Sequence, residues 1–141
     1  MKKEQIEAKF WELCKIANDE DRKNQGMTRE FEGTLLDVLN LVKHNPEHED
    51  VLKQCFIESW INENKKATHW IVLFCMRELR YPEVQEAINL NFVERGGPEG
   101  APREMNFISD LNYVYKDSPW EDIDLFKYHW EREYPEKPWP Y

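Results

Sequence analysis

The sequence predicts an all-α fold, with six to seven helices in antiparallel hairpins. Three observations predict it. Apolar residues recur three and four positions apart through most of the chain, as helices with one buried face require. Helix-start signals precede these stretches: Thr28, Asn45-Pro46, Thr68, Tyr81-Pro82 and Ser118-Pro119. Glycine is scarce, five in 141 residues, and three of the five share one stretch, which leaves too few turns for a β-sandwich. A chain of this length is expected to form one domain, 1–141. It should bury roughly 70% of its unfolded surface without metal or disulfide staples.

The first predicted helix spans about 3–18. Ile6, Phe10, Leu13 and Ala17 point inward, and Trp11 and Cys14 widen the stripe. Residues 19–26 read as a polar loop. Thr28 caps a second helix, about 29–44, whose apolar face is Phe31, Leu35, Val38, Leu39 and Val42. Asn45-Pro46 breaks the chain and restarts it, with Asn as cap and Pro at the first helical position. Glu47, Glu49 and Asp50 then complement the helix dipole. This third helix runs to about Asn62, with Val51, Leu52, Cys55, Phe56 and Ser59 inward; a polar connection follows to Lys66. Thr68 caps the fourth, which reaches about Arg80. Its middle, Trp70 to Met76, is apolar all round, so a strand is an alternative there. The flanking Arg77-Glu78-Leu79-Arg80 extends the helical pattern and predicts a helix buried on most sides.

Tyr81-Pro82-Glu83 starts the fifth helix, with Val84, Ala87, Ile88, Asn91 and Phe92 on one face and Gly96-Gly97 at its end. Residues 96–104 contain the Gly/Pro-rich run GGPEGAPR and read as a loop or hinge. Phe107, Ile108, Leu111, Val114 and Tyr115 suit a short helix, with a strand over 111–115 as the alternative. Ser118-Pro119-Trp120-Glu121 is a capping-box start for a last helix to about Glu133, with Ile123, Phe126 and Trp130 along one face. The tail 134–141 carries three prolines, so it is expected to be extended.

A shift of 36 residues superposes the second and third predicted helices on the fourth and fifth. Asn45-Pro46-Glu47 falls on Tyr81-Pro82-Glu83, Leu35-Leu36 on Ile71-Val72, and Val38 on Phe74. Val51-Leu52 falls on Ala87-Ile88, and Phe56-Ile57-Glu58 on Phe92-Val93-Glu94. Asp37 falls on Leu73 and Leu41 on Arg77, so the match is imperfect. The unit resembles a HEAT or armadillo-type repeat over about residues 30–95, most of all in Trp70 to Ile88. That resemblance implies stacked helical hairpins that grip another protein, with the outer helices as caps. An irregular bundle is the other arrangement compatible with the pattern.

Signals for chemistry are few. Cys14, Cys55 and Cys75 lie on three separate predicted helices, none beside a His or in a C-x-x-C spacing, and read as buried thiols. His44, Glu47, His48, Glu49 and Asp50 lie close together, but Pro46 separates the two histidines from a shared helical turn. His129 and Glu133 sit four apart and read as a surface pair. The sequence contains no Gly-rich phosphate loop, G-x-S-x-G or H-E-x-x-H. No catalytic residue, cofactor or metal ligand is assigned, and an enzyme with a helix-bundle pocket stands only as a third possibility.

Charge and rings say more. Acids exceed bases by 28 to 19, which disfavours nucleic acid and anionic membranes as direct partners. No apolar run suits a signal peptide or a membrane span, and with the unpaired cysteines this predicts a cytoplasmic location. Residues 105–141 hold eight acids, four bases and ten of the nineteen aromatic residues. Two readings follow: the tail folds back and seals the core, or this segment is an acidic, ring-studded contact surface. On the second, Glu121, Asp122 and Asp124 steer a basic protein partner while Trp120, Trp130 and Trp139 anchor it. The size, acidity and cytosolic profile resemble those of bacterial immunity and antitoxin proteins, which implies inhibition of a basic toxin nuclease. A helical-repeat scaffold or adaptor is the alternative.

Overall fold

The computed structural model describes residues 2–24, 28–116 and 135–137. Among these residues there are seven α-helices and no strand. They are α1 (Lys3–Asn24), α2 (Arg29–Lys43), α3 (Glu49–Ile61), α4 (Trp70–Leu79), α5 (Pro82–Glu94), the single turn α6 (Gly97–Gly100) and α7 (Met105–Val114). Three 3-10 turns, Pro46–His48, Glu63–Lys65 and Pro102–Glu104, join them.

The helical periodicities translate into packing. Ile6, Phe10, Leu13, Cys14 and Ala17 of α1 are buried, as are Phe31, Leu35, Val38, Leu39 and Val42 of α2. Six consecutive residues of α4, Ile71 to Met76, are buried, which is the all-round burial their apolar run predicts. α2 packs on α4 and α3 on α5, so helices related by the 36-residue shift are neighbours in space. α1 packs against both α2 and α3 at one end, and α7 against both α4 and α5 at the other. One continuous core runs through α1–α5 and α7. Phe10 and Phe56 meet edge to face in it, with centroids 5.1 Å apart. The two halves of the repeat are not equally covered. Ile57 is buried between neighbouring helices, whereas its counterpart Val93 is 66% exposed. Lys53 ties the α3–α5 pair at the surface. Its ammonium lies 3.0 Å from Glu49, 3.3 Å from Glu83 and 4.9 Å from the centre of the Tyr81 ring.

Three local expectations are corrected. The polar stretch 19–24 is not a loop; α1 continues through it to Asn24. Arg22 and Lys23 suit the negative end of the helix dipole, and Arg22 lies 3.8 Å from Asp19 one turn back. Glu20 also has a partner across the α1–α2 contact, accepting a 2.5 Å hydrogen bond from the buried Thr34 hydroxyl. Asn45 does not cap α3. Its carboxamide turns back and donates to the Leu41 carbonyl at 2.8 Å, closing the end of α2, and a 3-10 turn intervenes before α3. Residues 96–104 are not an open loop but two successive helical turns, with Gly97, Ala101 and Glu104 buried. The Arg95 guanidinium clasps Glu104 across them. The strand alternative for 111–115 also falls, since α7 occupies residues 105–114.

Thr28 and Gly96 do what the sequence asks of them. Thr28 Oγ1 accepts from the Phe31 amide at 3.2 Å. Gly96 follows α5 at φ +102, where a side chain is strained, and a Cβ there would lie 2.7 Å from the Gly100 Cα. Gly96→Ala is therefore expected to cost about 1–3 kcal/mol. Gly33, inside α2 with open space around it, is the matched control. Gly33→Ala should stabilise by about 0.5–1 kcal/mol. Urea unfolding of the two variants should move the midpoint in opposite directions, and movement in the same direction contradicts this account.

Candidate interaction surface

The connection between α3 and α4 is short, polar and held from outside. Asn18 of α1 reaches it with both ends of its carboxamide. Oδ1 accepts from the Thr68 amide at 2.6 Å, and Nδ2 donates to the Lys66 carbonyl at 3.1 Å. The Ala67 amide donates to the Ser59 carbonyl at 2.8 Å, and Ala67 itself is buried. A fixed backbone here sends two consecutive lysines to two different indoles. Lys65 Nζ lies 5.1 Å from the centre of the Trp11 ring, and Lys66 Nζ lies 4.4 Å from that of Trp60. The other face of Trp60 is stacked on Phe107 of α7, with centroids 3.7 Å apart and planes 20° from parallel. Asn18→Ala removes both clasps and should cost about 1–3 kcal/mol. Amide exchange should then accelerate at residues 66–68 ahead of the rest of the molecule; uniform acceleration would contradict a local clasp.

Two hollows flank this connection. On the α1 side a hollow of about 350 Å³ is lined by Trp11, Lys15, Asn64, Lys65 and Lys66, with Cys14 and Asn18 behind them. On the α7 side a smaller one of about 230 Å³ is lined by Trp60, His69, Arg103, Asn106, Phe107 and Asp110. His69 is packed beside Trp70 and Phe107. Burial lowers its pKa below the usual 6.5, although Asp21 and Asp110 pull it the other way. The neutral ring is the favoured form in the fold, so the stability it contributes is present above the ordinary histidine range and lost on acidification below it.

α7 is locked in place by a polar seam. Asn89 of α5 and Asn112 of α7 exchange hydrogen bonds through both ends of their carboxamides, at 2.8 and 3.0 Å. Gln85 adds a third bond to Asn112 at 3.2 Å. The Tyr115 hydroxyl donates to the Tyr81 carbonyl at 2.8 Å, fixing the end of α7 at the α4–α5 corner.

The three cysteines are buried on α1, α3 and α4. Burial pushes the Cys14 and Cys55 thiols from 9.0 up to about 12, with Cys55 adding to the shift of Cys14 and Glu7 and Glu58 to that of Cys55, and pushes Cys75 well above its ordinary value. A raised folded-state pKa contributes stability that is complete below the unfolded value and is lost as pH rises toward the folded one. The protein is therefore expected to lose stability progressively from about pH 9 toward pH 12. Cys→Ser substitution at 14 and 55 should make that alkaline limb shallower in pH-dependent denaturant titrations, the remainder coming from Cys75, Tyr81 and Tyr115, whose pKa values burial also raises; an unchanged limb would refute the assignment.

The cluster around His44 resolves into separate local contacts. His48 Nε2 lies 3.9 Å from Glu47, and Glu49 is held by Lys53. Among the described residues no group of three His, Cys, Asp or Glu side chains is arranged to hold a metal ion. Trp120, Glu121, Asp122, Asp124, Trp130 and Trp139, the partner-binding residues expected from sequence, lie outside the described residues, as do His129 and Glu133. Sequence reasoning did not single out Trp60, Phe107, Lys65 and Lys66 as a unit. Its one available signal was two lysines following a tryptophan-bearing helix end.

Compared with protein-family models, curated proteins and solved structures, the chain matches none.

Proposed function

We propose that this chain is a small acidic protein-binding module that captures a basic partner, in the manner of immunity and antitoxin proteins that inhibit toxin nucleases. One observation carries the reading: residues 117–134 hold six acids, two bases and five aromatic residues, in a chain of net charge −9. Dense acids raise the encounter rate with a positive surface, and Trp and Tyr supply large contact area at low entropic cost. The test is affinity capture with the full chain as bait, repeated at about 1 M salt, where charges are screened beyond roughly 3 Å. A basic partner that is retained at low salt and released at high salt supports the reading; retention of an acidic or salt-insensitive partner counts against it.

A specific observation favours a second reading, the helical-repeat scaffold. The pairing of α2 with α4 and α3 with α5 is the one that two hairpins stacked by translation adopt. A scaffold of this kind binds along residues 29–95, so deletion of 134–141 leaves capture intact. A module that uses the C-terminal rings loses affinity on the same deletion.

A further inference from the structure

The hollow on the α1 side of the α3–α4 connection stands against the character of the chain. In a protein of net charge −9 its lining contains three lysines, two asparagines, an indole and a thiol, and no carboxylate. Lys15 has no ion pair among the described residues. Lys65 has one long contact, 3.8 Å to Glu58 on α3, and is 47% exposed. Lys66 also borders the hollow, but its ammonium rests on Trp60. The thiol adds no negative charge, because burial keeps Cys14 protonated through the neutral range. The floor is well fixed: Trp11, Cys14, Lys15 and Asn18 recur at i, i+3, i+4 and i+7 on α1, and Asn18 pins the facing backbone.

We infer that this hollow is an anion-binding site, taking a phosphate or carboxylate group carried on an aromatic ring. The oxyanion lies between the Lys15 and Lys65 ammoniums, and the ring takes the place that Lys65 occupies over Trp11. Lysine suits this exchange, because its ammonium is a point charge on a flexible stem and an exposed contact with an indole is weak, about 0.5–1 kcal/mol. A volume of about 350 Å³ is at the small end of ligand pockets, which admits one ring with its charged substituent. This inference stands apart from the capture of a basic protein proposed above, since it uses the opposite polarity on a different part of the chain.

The test is titration of the full chain with phenyl phosphate, inorganic phosphate, benzoate and phenol, followed by amide shifts at residues 64–66 and the Trp11 indole N–H. Phenyl phosphate is expected to give saturable shifts at these positions and to bind more tightly than inorganic phosphate. The benzoate arm tells a carboxylate site from one that requires phosphate. Lys15→Gln combined with Lys65→Gln should weaken phenyl phosphate binding about tenfold or more, which corresponds to about 1.4 kcal/mol. Both side chains are solvated, so the variant should melt with the parent protein; Lys3→Gln, on the same helix beside a different hollow, should bind like the parent. Shifts that grow without saturation overturn the inference. So does phenol binding as well as phenyl phosphate, or an unchanged affinity in the double lysine variant.

Discussion

Phe56→Ala is expected to destabilise the protein by about 3–5 kcal/mol, among the largest effects of any single substitution in the core. Phe56 is fully buried on α3 and stands edge to face with Phe10 of α1. Truncation removes the ring's transfer free energy and its aromatic pairing together. The cavity cannot collapse easily, because the site is covered by helices already held elsewhere: α1 by Asn18, and α5 by Lys53 and the Asn89–Asn112 pair. In a chain of this size the melting temperature should fall on the order of 10 °C or more. The urea midpoint should drop with little change in slope, since the same surface is exposed on unfolding. A loss below about 1 kcal/mol would mean that α1 and α3 do not share the core described here.

The same residue shows why much of the fold could be read in advance. Phe56 sits at the crossing of two periodic stripes, each written locally along one helix, and burial follows from period alone. Pro82 and Gly96 are equally local: one fixes φ at a helix start, the other supplies the positive φ that ends the helix. What escaped the sequence depends on distant partners. Residues 19–24 look like a loop because they are all polar, yet Glu20 is tied to Thr34 across a helix contact. Asn45 has the composition of an N-cap, but the Leu41 carbonyl behind it competes for the carboxamide and wins. The run 96–104 has hinge composition, and Arg95 with Glu104 converts it to packed turns. The Trp60–Phe107 stack joins residues 47 positions apart, a pairing that no local pattern encodes.

Those distant partners also bear on how the two proposed sites can be told apart. Lys15 and Lys65 flank a hollow on a body held by hydrogen bonds, so substitutions there change an equilibrium affinity for a small anion. In the proposed capture of a basic partner, the acids of residues 117–134 act before contact is made, so substitutions there are expected to change the rate of encounter.

Glu121→Lys, Asp122→Lys and Asp124→Lys in one variant should lower the association rate with the captured basic partner on the order of tenfold to a hundredfold at low salt. The change takes the net charge from −9 to −3 and reverses the sign of residues 121–124. Dissociation should change less, because steering charges outside the centre of a contact act mainly on encounter. The parent's association rate should fall steeply with added salt while the variant's stays nearly flat, so the two should converge as the Debye length shrinks toward about 3 Å near 1 M. A control variant with three exposed acids outside both candidate surfaces reversed, Glu4, Glu12 and Glu99, makes the same change in net charge and separates local steering from it. If that control slows association as much as the triple reversal does, total charge governs encounter and the segment has no special place in it. If the triple variant associates at the parent's rate, the acids of 121–124 do not face the partner, and the scaffold reading with contacts along residues 29–95 takes precedence.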